Sequence, residues 1–419
     1  MKRRNFIRNL ATIPLLNSKL FIGSTLLANM KKACATTGKT LIVIFQRGGC
    51  DGINMVVPHG EDEYYNLRPD ISIGKPGSGS GEALDLDGFF GLHPSLTGLY
   101  DIYQQGHLAI FPTTHYEKGN RSHFSSQDFI ESGTSNIRLN DGWLNRHLST
   151  LKNTANTGIR AISFGGLSHA LQGNQPVTAI NSISNFGDGL ENLELDILRQ
   201  VYEKNMDSDP NSLLIRKEGS LALNNFALMK DNSDFLTNFD TKNYIPDNNA
   251  VYPDTEYGQQ LQEIAILIKS GIGLEVATIN SNGWDHHVNQ GGAQGKQANR
   301  MKDFSDGIEA LYRDLGVTYM NDVIILTMTE FGRTAKQNAS KGTDHGNASS
   351  WFVIGQQING GIYGDWPGLL PEQLYKGRYL RHTIKYTNIL GEILANHLEN
   401  QPGLNTVLPG SNYKPIGFL

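Results

Sequence analysis

Short apolar runs alternate with amphipathic stretches along most of this chain. Thr40-Leu41-Ile42-Val43-Ile44-Phe45-Gln46 is continuous and β-branched, and it closes in Arg47-Gly48-Gly49-Cys50-Asp51-Gly52. A run of that length with no polar face reads as a parallel strand covered on both sides, and the glycines let the backbone turn tightly at its carboxyl end. Further strands are predicted at 107–112, 159–164, 274–279, 323–328 and 351–354. Helical periodicity occupies 94–105, 125–131, 193–203, 212–231, 256–270, 293–315 and 383–398. Strands alternating with helices predict an α/β fold, a mainly parallel sheet with helices on both faces. The Asn/Asp/Ser-rich stretches at 204–212 and 231–254 read as surface insertions or helix connections, so 36–419 is expected to form a single domain.

Residues 1–35 depart from this pattern. They carry seven Lys or Arg and no acidic residue: Lys2-Arg3-Arg4-Asn5-Phe6-Ile7-Arg8, a weakly apolar stretch from Leu10 to Leu27, then Ala33-Cys34-Ala35. Adjacent arginines, a modest apolar core and a small-x-small end resemble a twin-arginine export signal, with an ordinary secretory signal or a basic tail as the alternatives. The expectation is export to the periplasm, the medium or the cell envelope, the export machinery being the leader's partner. Lys31 and Lys32 stand where lipidation would want Leu and a small residue, so Cys34 is a poor lipidation site. Cleavage after Ala35 would leave Cys50 alone, with no internal disulfide. No later segment approaches ~20 unbroken apolar residues, the length of a spanning helix.

Charge changes the picture of partners. Outside the leader, 29 basic residues face 41 acidic ones, a net charge of −12. That sign argues against broad binding to nucleic acid or anionic lipid, both of which need clustered positive charge. With 38% hydrophobic residues and no strict repeat, the chain is neither disordered nor fibrous.

Candidate chemistry gathers where the strands end, since ligands of open α/β sheets bind beyond the carboxyl ends. Asp51, flanked by glycines, suits a hard divalent cation and is equally ordinary turn chemistry. Ser122, entering the predicted helix at 125–131, reads either as a nucleophile placed at the positive end of the helix or as an N-cap. Arg121 beside it reads as an anion partner or a surface arginine. Asp285-His286-His287 offers an O/N set for zinc, manganese or iron, with Asp285 and His287 as the better geometric pair. Glu330, Asp344 and His345 add two carboxylates and another imidazole beyond the strand at 323–328. Together these predict a metal site at one edge of the sheet. The alternative is a rim of hydrogen-bonded polar residues.

Six spaced segments, L-I-V-I-F-Q-R-G-G-C-D-G (41–52), N-R-S-H-F-S-S-Q-D-F-I-E-S-G (120–133), G-W-D-H-H (283–287), T-M-T-E-F-G-R-T (327–334), T-D-H-G (343–346) and G-G-I-Y-G-D-W-P-G-L (360–369), closely resemble the exported bacterial family called domain of unknown function 1501. That family looks like a remote branch of the alkaline phosphatase superfamily, with sulfatases and cofactor-independent phosphoglycerate mutases as relatives. The resemblance implies an alkaline-phosphatase-like fold and a centre of one or two divalent or transition metal ions (Zn, Mn, Fe or Ca). Carried over by position, Asp51 matches the carboxylate after the first strand, Ser122 the nucleophile, Asp285 and His287 one metal's ligands, and His345 the late histidine. Glu330 falls where the superfamily has the Asp of an Asp-His pair, and Phe331 stands where that His would be. This departure leaves the second metal open, as does the short spacing at Asp285. Asp344 is then either a ligand or the group that orients His345.

The implied activity is metal-assisted hydrolysis of phosphate or sulfate esters, small or polymeric. One cation would be held by Asp285, His287 and His345, and a second by Asp51 and Glu330 beside Ser122, with Arg121 or Arg333 clamping the substrate's free oxygens. The alternative is a non-catalytic protein that keeps the fold to bind a polysaccharide or an envelope partner, supported by Phe331 in the place of a ligand and by the exposed-looking aromatics Tyr64, Tyr65, Trp143 and Trp366, whose other reading is core or loop packing.

Overall fold

A computed structural model describes residues 38–117, 119–135, 137–151, 159–184, 236 and 239–419. The leader at 1–35 and the helices expected at 193–203 and 212–231 lie outside the described residues. No helix among the described residues is long and apolar enough to cross a membrane.

The main sheet contains β1 (Thr40–Gln46), β2 (Leu108–His115), β3 (Ala161–Phe164), β4 (Thr178–Ile180), β5 (Val276–Ser281), β6 (Val323–Met328), β7 (Ser349–Ile354), β8 (Gly361–Ile362) and β9 (Ile384–Lys385). Their order is β8-β2-β7-β6-β1-β5-β3-β4, with β9 also paired to β2. Every pairing is parallel except those of β7, which runs antiparallel to both β2 and β6. The fold is therefore α/β with a mainly parallel, mixed sheet.

The continuous apolar run of β1 is divided by the pleat. Leu41, Val43 and Phe45 face one core, and Ile42 and Ile44 the other. Helices α1 (Gly52–Met55), α2 (Thr97–Gln104), α3 (His123–Ser132), α4 (Trp143–Thr150), α5 (Glu256–Ser270), α6 (Lys296–Met320) and α7 (Tyr386–Glu392) surround the sheet. Leu99, Ile102, Leu261, Ile264, Phe304 and Ile308 of α2, α5 and α6 pack on the Ile42/Ile44 side, while Ile130, Trp143, Leu144 and Ile389 of α3, α4 and α7 cover the other. Burying each such aliphatic side chain contributes about 1.5–3 kcal/mol, so both layers are needed to fix the sheet. α5 shows why the local sequence forms a helix: the Thr255 hydroxyl accepts from the Gly258 N–H at its start, and Gly271 closes it in the left-handed region at φ 69°.

The strands at 40–46 and 323–328 and the helix at 256–270 have the bounds their patterns predict. The helix expected at 383–398 is shorter as an α-helix, because its last turn, Ile393–His397, widens into a π-turn. α4, β4 and a small antiparallel sheet of Val56–Val57, Gly91–Leu92 and Leu84–Asp85 are not apparent in the pattern of apolar residues. Tyr64 and Trp143 are wholly buried, and Tyr65 and Trp366 pack half-buried on the core, so these aromatics form packing and not a displayed binding face.

Candidate metal centre

Register brings the functional residues to one rim. Gln46 of β1 lies opposite Ser281 of β5, and Phe45 opposite Met328 of β6, so the loops after all three strands leave the sheet side by side. Gly48 and Gly49 make the turn after β1 at φ 123° and 71°. A Cβ on Gly48 would lie 2.7 Å from the Asp285 amide, and one on Gly49 would lie 2.3 Å from the Phe331 ring. Glycine is required here because the neighbouring loops use the space a side chain would fill.

Two of these loops and the segment after β2 place ligand atoms within 4.8 Å of one another: His123 at the start of α3, Asp285 after β5, and His345 ahead of β7. The His345 Nε2 lies 3.1 Å from the His123 Nε2 and 3.1 Å from the His287 Nε2. The Asp285 carboxylate approaches His287 at 2.9 Å, His345 at 3.3 Å and His123 at 3.6 Å. Nitrogen ligands about 2.0–2.1 Å from a tetrahedral cation lie roughly 3.4 Å from one another, so these separations have the scale of a coordination shell.

The other ring nitrogens decide the chemistry. The Nδ1 of His123 donates to Glu330 at 2.8 Å, that of His345 to the Arg121 carbonyl at 2.9 Å, and that of His287 to Asp344 at 3.3 Å. Carbonyl and carboxylate oxygens only accept, so in the neutral His123 and His345 rings the proton sits on Nδ1 and the two Nε2 atoms face each other with lone pairs, whereas His287 meets a carboxylate at both nitrogens, Asp344 at 3.3 Å and Asp285 at 2.9 Å, with the Arg333 guanidinium 3.4 Å from its Nε2. Lone pairs 3.1 Å apart repel unless something positive lies between them. A proton on either Nε2 satisfies one pair at a time, whereas a cation would satisfy His123, Asp285 and His345 together, the set whose ligand atoms lie within 4.8 Å of one another. The donor set, imidazoles with one carboxylate, suits zinc, manganese or iron better than calcium, which prefers an all-oxygen shell.

Glu330, expected as a ligand, is fully buried behind His123. Its carboxylate accepts from His123, the Gly48 amide at 2.9 Å, Gln127 at 3.0 Å and the Thr329 hydroxyl at 3.1 Å. Burial pushes its pKa up, but the bonds from His123, its own backbone, Gln127 and Gly48 outweigh that and hold it below the ordinary carboxylate value. His123 is raised in turn, first by its bond to Glu330, with burial opposing. Asp285 is lowered because Arg333, His287 and His345 outweigh its burial. His345 is lowered chiefly by burial.

Asp51 does not join this cluster. Arg68 grips both its oxygens at 2.7 and 3.0 Å, and Gln290 adds a third bond at 2.6 Å, all of them buried. With its charge matched by a fixed guanidinium, Asp51 does not serve a second cation. Phe331 is buried and lies 4.9 Å, centroid to centroid, from both the His123 and His345 rings, forming a wall of the site. Among the described residues, these facts reduce the expected one or two cations to one candidate cluster.

The arginines have separate roles. Arg333 is buried and donates to the carbonyls of Gly48, Gly49, Thr343 and Trp284 and to Asp285. Its donors are spent on holding the loops and aiming Asp285, which leaves it unable to clamp a substrate. Arg121 lays its guanidinium over the Tyr379 ring at 4.8 Å, and it has no carboxylate partner among the described residues. Asp344 accepts from His287, Asn338 and Arg378, so it orients His287 and not His345.

Ser122 occupies the N-cap position of α3, yet its side chain makes no capping bond and is exposed. Its amide donates to Asn120 Oδ1 at 2.8 Å. The His286 pKa is lowered to about 4, chiefly by burial and then by the charge of Arg333. The residue that the sequence motifs contain without singling out is His123. Its signal was present: a histidine in the first turn of a helix that follows a strand end.

The family model described as "Protein of unknown function (DUF1501)" matches residues 38–397. No curated protein matches the chain.

Proposed function

This chain belongs to the DUF1501 family, and we propose that it is a metal-dependent hydrolase of phosphate or sulfate esters built on an alkaline-phosphatase-like α/β fold. The observation that carries this reading is the convergence of the His123, His287 and His345 Nε2 atoms on Asp285, each ring held by an acceptor at its Nδ1. His123, Asp285, His287 and His345 would hold the cation. When bound, it would polarise an ester oxygen and make a neighbouring water more acidic.

The chain's own groups supply the remainder. Arg333 fixes the Asp285 carboxylate, and Glu330, Asp344 and the Arg121 carbonyl fix the three rings, so the donors are aimed before any substrate arrives. The Arg121 guanidinium, which has no carboxylate partner among the described residues, would pair with the ester's anionic oxygens. Ser122 has an exposed hydroxyl, but Asp51 and Glu330, which would have to hold a second cation beside it, are committed to Arg68 and to His123. Direct attack by water is therefore favoured over a covalent Ser122 intermediate.

The test is elemental analysis of the protein matured through its native export route, combined with turnover of phosphate monoesters, diesters and sulfate esters. Metal near one equivalent with turnover of one ester class supports the reading. A protein without stoichiometric metal that turns over none of these esters overturns it.

A further inference from the structure

The most exposed large apolar ring beside the centre is Phe124, directly after the ligand candidate His123 and 82% exposed. Leu167, in the loop after β3, is 48% exposed. The two share an open groove of about 350 Å³ that also includes Arg47, Glu131, Ser168 and Asn280. That volume is at the lower end of small-molecule sites, about 300–1,000 Å³, and exposed apolar groups at a groove are a mark of ligand binding.

The floor is one hydrogen-bonded strip. Asn280 Oδ1 accepts from Arg47 Nε at 2.8 Å, Arg47 reaches both oxygens of Glu131 at 2.6 and 2.9 Å, and the Ser168 hydroxyl donates to Glu131 at 2.6 Å. The Arg47 guanidinium is stacked 3.7 Å from the Phe45 ring. These planar groups are set before a ligand arrives, and they retain lone pairs and N–H groups for hydroxyls. The groove abuts the metal centre through Arg47, whose successor Gly48 donates to Glu330, and through Phe124 itself.

Charge and shape select the ligand class. Arg47 matches Glu131, and Asp128 at the edge is matched by Arg138, so nothing here attracts a polyanion. Two apolar side chains are too few for an acyl chain. A planar polar floor with one aromatic face at its edge fits a ring that has hydroxyls on its rim and C–H groups on its face.

We propose that this groove is the subsite for a neutral, hydroxyl-rich group, a sugar ring, belonging to the substrate whose ester group reaches the metal cluster; this rests on the hydrolase reading above. The experiment is saturation-transfer NMR and calorimetry on the metal-loaded protein with a panel of neutral pyranose oligosaccharides, using wild type, Phe124→Ala and Phe124→Trp. Because Phe124 is exposed, neither variant should disturb folding, and metal content is measured on the same samples. Binding by wild type that weakens at least tenfold in Phe124→Ala and returns in Phe124→Trp is expected. Absence of binding to every glycan, or binding unaffected in Phe124→Ala, overturns the proposal. Sugar phosphates and sugar sulfates are assayed in parallel: glycan binding without turnover keeps the subsite and removes the hydrolase, whereas ester turnover without glycan binding does the reverse.

Discussion

His123 and His345 meet Nε2 to Nε2 at 3.1 Å with their rings crossed at 76°, although they lie 222 residues apart, one following β2 and the other leading into its antiparallel neighbour β7. Each ring has committed its Nδ1 proton elsewhere, so the contact needs a proton or a cation between the rings, and in the function proposed above it is a cation. His345→Ala should therefore lose stoichiometric metal, and Glu330→Gln, which leaves His123 in place but weakens its holder, should lower metal affinity by roughly 10–100-fold. Chelator competition followed by elemental analysis measures both. Equal metal retention in wild type and His345→Ala would remove the centre.

Asp51 should behave as a structural residue. Asp51→Asn keeps an acceptor for Arg68 and is expected to retain full metal content, while Arg68→Met strands a buried carboxylate and should cost about 3–5 kcal/mol in denaturant unfolding. Metal loss in a folded Asp51→Asn protein would return Asp51 to the ligand set.

Ser122 and Arg121 are adjacent and separable. Ser122→Ala should keep turnover within about threefold if, as proposed, water attacks directly. A fall of two orders of magnitude or more, with metal retained, would favour a covalent intermediate. Arg121→Met should retain metal and lower kcat/KM by roughly 10–100-fold, because a charge-assisted contact to the anion is worth about 1.5–3 kcal/mol. Steady-state kinetics on whichever ester the panel identifies is the measurement.

Acid stability should depend on Glu275, buried under α4 with bonds from His147 at 2.9 Å and from Arg160. Burial raises its pKa, but those partners outweigh burial and hold it below the ordinary 4.5. A carboxylate depressed in the folded state stabilises fully above its unfolded value, and that stability is lost as pH falls from about 4.5 through the folded value. Glu275→Gln should thus be less stable than wild type at neutral pH and approach it below pH 4.5, as read by thermal unfolding across pH. A stability difference independent of pH would show that the charge is not what matters.

Much of this arrangement is legible in the sequence because it is local. The β-branched runs specify β1 and β6, and Asp285-x-His287 and Asp344-His345 declare themselves at strand ends. What escapes is non-local pairing. The guanidinium that claims Asp51 arrives from Arg68 and its third bond from Gln290, so no spacing around Asp51 announces its role. Glu330 looks like a ligand until His123 is seen to lie between it and the other rings. Arg333 resembles an anion clamp in sequence, yet the carbonyls of four residues from three loops absorb its donors. α4 is missed because Arg146, His147 and Asn145 are buried in it, bonded to distant groups, and this breaks the apolar period.

The reversed strand β7 has a consequence for how such a site can diversify. β6 leaves the sheet at the same rim where β7 enters it, so residues 329–348 form an excursion that departs and returns on one side. Its two legs are tied together, with the Thr334 amide bonded to the Asp344 carbonyl and Gly346 to Gly332, and the tip between Lys336 and Gly342 is bonded to the loop after β5, the Ser340 and Lys341 carbonyls accepting from Asn289 and Gln290. Closing a longer loop costs only about 0.6 kcal/mol per doubling. Insertions between Lys336 and Gly342 would leave Arg333 and His345 on their legs but would act on Asn338, whose bonds to Asp344 and to the His287 carbonyl help aim that ring, so variation at the tip is felt at His287 before it is felt at His345.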